Sequence, residues 1–75
     1  MWLRFKNNVL VNLEKVVKIE YTEYGPGVVF HCVDTSFRLV LKDLDTRNKF
    51  FENVCELLQE NIPFSVKNFD IEVWS

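Results

Sequence analysis

The feature that most constrains this chain is one stretch of helical periodicity set among runs that alternate. Between Asp45 and Asn61, and just beyond, Phe50, Phe51, Val54, Leu57, Leu58 and Ile62 fall at i, i+1, i+4, i+7, i+8 and i+12. On a 3.6-residue wheel they form a broad apolar stripe. The opposite side carries Lys49, Glu52, Asn53, Glu56, Gln59 and Glu60 and is a wet face. Burying a large apolar side chain is worth roughly 1.5–3 kcal/mol, while ordering a backbone residue costs about 1–2 kcal/mol. The helix therefore needs a partner surface, and because every other run reads as β, that surface is a sheet. Asp45 is the expected N-cap, with Thr46 at the first helical position and Leu44 packing from just outside. Asn61 and Pro63 mark the end, since proline cannot continue a helix.

The strands follow from period-two alternation. Leu3 and Phe5 alternate with Trp2, Arg4 and Lys6, the pattern of a half-buried strand. Lys6-Asn7-Asn8 is a turn, because asparagine tolerates the left-handed backbone that turns require. A three-residue loop keeps Val9 and Val11 on the face of Phe5 and Leu3, whereas a two-residue loop would invert them. Asn12-Leu13-Glu14-Lys15 is a helical corner with Asn12 as its cap. Val17, Ile19 and Tyr21 then share one face, and Gly25-Pro26-Gly27 turns the chain into Val28, Phe30 and Cys32. Asp34-Thr35-Ser36 turns it again into Phe37, Leu39 and Leu41. After the helix, Phe64 and Val66 read as a partial strand, and Phe69, Ile71 and Val73 as a terminal edge strand.

The expected architecture is one α+β domain, residues 1–75: an antiparallel β-meander of about four strands, one helix packed on one face, and a C-terminal edge strand. A domain this small buries only about 60% of the surface its unfolded chain exposes. With seven phenylalanines and no alanine, large residues must fill the core, or two copies must share one. A net charge of −2 argues against bulk attraction to nucleic acid or membrane. The opening residues Trp2-Leu3-Arg4-Phe5 give way quickly to polar ones, so neither a signal peptide nor a membrane span is expected. Cys32 and Cys55 lack the paired spacing of a zinc or redox site; two thiols in a reducing, cytoplasmic compartment are expected, with one disulfide as the alternative.

No cofactor, metal or catalytic motif stands out, and an enzyme is not expected. His31 and Cys32 are neighbours, but adjacent strand residues point to opposite faces and cannot readily act together. Glu20 with Glu23, and Asp70 with Glu72, read as surface or edge carboxylates. Glu52, Glu56 and Glu60 read as a solvated helix face. Gly25-Pro26-Gly27 has no following lysine or helix and is not a phosphate loop.

What remains is the sheet face turned away from the helix. It carries Trp2, Arg4, Lys6, Leu10, Lys18 and Glu20, then Val29, His31, Val33, Arg38, Val40 and Lys42, with Trp74 on the terminal strand as a further candidate. Its apolar members, Trp2, Leu10, Val29, Val33 and Val40, suit coverage by a second copy or another protein. The terminal strand could add to a partner's sheet. The alternative is single-stranded nucleic acid, with Arg4, Lys6, Lys18, Arg38 and Lys42 on phosphates and Trp2 and Tyr24 stacking on bases. A bland alternative is that lysine and arginine stems simply cover apolar surface.

Trp2-Leu3, Asn8, Val11-Asn12-Leu13, Val16, Ile19, Val28-Val29-Phe30 and the acidic helix start at Asp45 resemble the layout of small uncharacterised prokaryotic and phage proteins, in which a β-meander is closed by one helix; a short flagellar accessory family is similar. The resemblance spans residues 1 to 60 and implies the same fold and a phage or mobile-element origin. It assigns no functional residue, and the segment from Phe64 to Trp74 departs from it.

Overall fold

The computed structural model describes residues 1–60, 62 and 64–74, with Trp74 described through its backbone. Among the described residues, seven short strands and one long helix follow in the order β1 (Trp2–Arg4), β2 (Leu10–Asn12), a 3-10 turn (Leu13–Lys15), β3 (Val16–Tyr21), β4 (Gly27–Cys32), β5 (Ser36–Val40), α1 (Leu44–Glu60), β6 (Val66–Asn68) and β7 (Val73–Trp74). This is an α+β fold with one helix, as expected. The strands are divided between two sheets, ordered β2-β1-β6 and β3-β4-β5-β7.

The division has a local origin. The three-residue loop predicted at Lys6-Asn7-Asn8 closes with Phe5 N–H on the Val9 carbonyl at 2.9 Å, and Asn8 takes the left-handed φ of 61°. Leu3 then faces Val11 across the ladder. At the corner, Asn12 accepts the Glu14 N–H at 3.1 Å, and the 3-10 turn redirects the chain so that β3 starts a separate sheet. From β3 onward the meander is antiparallel. Gly25 takes φ 74° in the first turn. In the second, Cys32 N–H meets the Thr35 carbonyl at 2.7 Å, so the loop is Val33-Asp34 and Val33 lies beyond the strand rather than on the sheet face.

The terminal segment unites the sheets. β6 runs parallel to β1 and β7 antiparallel to β5, with the chain crossing between them. The Phe69 N–H donates to the Arg4 carbonyl at 2.8 Å, and the Lys6 N–H to the Ile71 carbonyl at 2.9 Å. The Asn7 carboxamide then grips the Val73 backbone in both directions, at 3.2 and 3.3 Å. The continuous strand expected over Phe69, Ile71 and Val73 is thus interrupted, although all three side chains pack against the core. Phe64, read as part of a strand, takes φ 64° and is 94% exposed.

Both sheets share one core with the helix. Leu3, Val28, Phe30 and Leu39 are wholly buried. Phe30 stacks on Phe37 at 5.0 Å and leans on Phe50 at 6.2 Å; Phe69 meets Phe5 from one sheet and Phe50 from the helix. Period-two phasing therefore sorts Phe30 and Leu39 correctly beneath the helix.

Three further expectations need correction. The N-cap is Asp43, whose Oδ1 accepts the Thr46 N–H at 2.7 Å; Asp45 lies in the first turn, paired with Lys49 at 2.9 Å, and Leu44 begins the helix as an exposed residue. That Thr46 hydrogen bond holds the Asp43 carboxyl below the ordinary aspartate range. Val17, expected inward, is 69% exposed, because the register slips between Val16 and Lys18 and a bulge leaves the extra residue unpaired. Val16 packs against the core in its place. Finally, the helical stripe is only partly covered: Phe50, Val54 and Leu57 are buried, whereas Leu58 and Ile62 are exposed. The expected helix end at Asn61 and Pro63 lies outside the described residues.

Candidate interaction surface

The uncovered part of the stripe has a definite geometry. Phe51, Cys55 and Leu58, at i, i+4 and i+7, form a row beside the buried one. They face β3 across an open groove of 250 Å³, lined as well by Val16, Val17, Lys18, Ile19 and Val54. Beside the groove, Tyr21 meets its lining residue Phe51 edge-on at 4.9 Å, and the Arg47 guanidinium lies 3.9 Å from the Tyr21 ring centre, a cation–π contact. Among the described residues β3 is also the last strand of its sheet, so an apolar groove and an open strand edge occur side by side.

The expected outer face is placed as follows. Trp2, Arg4 and Leu10 stand on the three-stranded sheet, with Trp2 beside Asn12 and Val66, and Arg4 beside Leu10 and Asn68. Lys18, Glu20, Val29, His31, Arg38 and Val40 stand on the four-stranded sheet, where Glu20, Val29 and Arg38 form one cross-strand row and Lys18, His31 and Ser36 the next. Trp74 continues the Glu20 row through its backbone pairing with Arg38. Lys6 lies in the hairpin loop, 3.9 Å from Asp70. Lys42 follows β5 and, with Lys6, Val40 and Asp70, borders a shallow depression. The thirteen candidates, with Val33 in the β4–β5 loop, therefore belong to two sheets and their connecting loops.

A polar network crosses the four-stranded sheet. Glu20 Oε2 lies 2.7 Å from Lys18 Nζ and 3.0 Å from His31 Nε2, and His31 Nδ1 lies 3.1 Å from Ser36 Oγ. In the Nε2–H tautomer of the imidazole, Nε2–H donates to the ionised carboxylate and Nδ1 accepts from the serine hydroxyl. The hydrogen bond from Lys18 is the largest influence on Glu20, and with His31 it holds the carboxyl below the ordinary glutamate range. Hydroxyl, imidazole and carboxylate in this order are the elements of a nucleophilic relay. Here they lie on an open sheet and brace β3, β4 and β5 across their outer side. Ser36 was missed by reading it as a turn residue. A two-residue Val33-Asp34 loop sets His31 opposite Ser36, so counting back from that loop would have found the pair.

Cys32 and Cys55 are free and half-buried, and burial pushes the Cys32 thiol up. Among the described residues, no group of three His, Cys, Asp or Glu side chains could hold a metal ion, and no helix is long and apolar enough to cross a membrane. No family model, curated protein or solved structure gives a significant match to the chain.

Proposed function

We propose that this chain is a small non-enzymatic protein-interaction module that self-associates in a reducing, cytoplasmic setting. The observation carrying this reading is the conjunction of the unpaired β3 edge with the groove formed by Phe51, Cys55, Leu58 and the bulged Val17. A strand edge supplies main-chain hydrogen bonds to an added strand, and an adjoining apolar groove supplies side-chain burial. The free thiols of Cys32 and Cys55 suit the compartment. The terminal strand is a weaker candidate: β6 and β7 are also edge strands, each paired on one side, but they span three and two residues against six in β3. The nucleic-acid alternative loses support on the four-stranded sheet, where the Glu20 carboxylate sits between Lys18 and His31 and would repel a phosphate. A phage or mobile-element origin remains the proposal drawn from the resemblance.

Sedimentation velocity over a wide concentration range tests the role. Species heavier than the 9.0 kDa chain, growing with concentration, are expected. A single 9.0 kDa species at every concentration refutes self-association.

A further inference from the structure

Resting on the interaction role proposed above, we infer that two copies join through β3, in an antiparallel pair centred on Ile19 that makes one continuous sheet. The Thr22 N–H donates to the Gly27 carbonyl at 3.0 Å, and from Lys18 to Tyr21 the register with β4 is regular. Strand alternation therefore turns the backbone groups of Lys18 and Glu20 toward β4, and those of Ile19 and Tyr21 toward the open edge.

A two-fold axis perpendicular to the sheet keeps both helices on one side, and every register it allows is centred on a residue. Centred on Ile19, the run Val17-Lys18-Ile19-Glu20-Tyr21 is self-complementary: Lys18 opposes the second copy's Glu20, and Val17 opposes its Tyr21. Shifting the centre to Lys18 sets two lysines opposite each other, and shifting it to Glu20 sets two glutamates opposite each other. Like charges directly opposite are destabilising, so of these three registers the one centred on Ile19 is selected. Within it the Ile19 pair exchanges two backbone hydrogen bonds. The Lys18–Glu20 pairs fall at the non-hydrogen-bonded positions, where Cα atoms come within about 4.5 Å and side chains approach more closely.

The apolar side agrees. Val17, which lines the groove, is left 69% exposed by the bulge, and Tyr21 is 43% exposed at the same strand's other end; in the pair each covers the other. Bulges and edge charges ordinarily repel foreign strands. In β3 they leave one matching partner, the same strand of another copy. The contact is short and falls at the small end of interfaces, below about 1,200 Å² in total, so the dimer is weak and dissociates on dilution.

Amide hydrogen exchange by NMR across a concentration series, with sedimentation on the same samples, tests the pairing. The Ile19 and Tyr21 amides are expected to slow as dimer accumulates, while those of Lys18 and Glu20 are protected throughout. Lys18→Glu or Glu20→Lys alone weakens association about tenfold, because two symmetric pairs turn from attraction to repulsion; the double exchange, Lys18→Glu with Glu20→Lys, returns it to within about threefold. A dimer whose Ile19 and Tyr21 exchange ignores concentration, or which the double exchange does not restore, overturns the β3 pairing and leaves self-association standing. A chain that stays monomeric throughout overturns both.

Discussion

The bulge in β3 can be tested by making one isosteric change at two valines. Val28→Thr and Val17→Thr each replace a methyl with a hydroxyl, keeping both the volume and the β-branching that strands favour. Val28 is 0% exposed, between Tyr21 on β3 and Leu39 on β5, and the neighbouring backbone is already engaged in the ladders. An unpartnered hydroxyl there costs about 1–3 kcal/mol, and losing the buried methyl adds about 0.8 kcal/mol, for a total of about 2–4 kcal/mol. Val17 is 69% exposed, so its hydroxyl stays in water and the change falls within about 0.5 kcal/mol. Urea unfolding followed by circular dichroism, at a concentration where the chain is monomeric, reads both. With an m-value of about 1 kcal/mol/M for a domain this small, Val28→Thr lowers the midpoint by about 2–4 M. A loss above about 1 kcal/mol for Val17→Thr would mean that strict alternation runs through β3, and would refute the bulge.

Other outcomes follow from individual contacts. Gly25→Ala costs about 1 kcal/mol in the same assay through backbone strain alone, since Gly25 has φ 74° and an added Cβ would meet nothing within 4 Å; an unchanged midpoint would argue against the left-handed turn. The carboxyls of Glu20 and Asp43 are both held below their ordinary range, Glu20 foremost by Lys18 and Asp43 by Thr46. Their stabilisation is therefore complete above pH 4.5, the ordinary glutamate value, and is lost as pH falls through the lower folded values. Thermal melts should show Glu20→Gln and Asp43→Asn flattening that acid slope, and an unaltered slope would remove these pairs as its source. Iodoacetamide should label Cys32 more slowly in the folded chain than in urea, because burial raises the thiol and reduces the reactive thiolate; equal rates by mass mapping would contradict its half-buried position.

Residues close in sequence carried most of the fold's local content. The spacing of Phe50, Val54 and Leu57 defines the helix and its buried row, the three-residue loop sets the phase of Leu3, Phe5, Val9 and Val11, and alternation places Phe30 and Leu39 beneath the helix. Asn12 as a cap is equally legible, because its partner lies two residues away. The interaction surface was less so. The candidate face could be enumerated from alternation, but one alternation cannot say that Trp2 and Lys18 stand on different sheets.

Local periodicity determined which residues are apolar neighbours along each element, and therefore the α+β class. Tertiary closure decided the rest: β6 and β7 joining different sheets, the slip at Val17, and the open row of Phe51, Cys55 and Leu58. A single 17-residue helix cannot cover every apolar position of seven strands, so packing chooses which are buried. That choice depends on contacts between residues far apart in the chain, whose geometry short-range patterns do not contain.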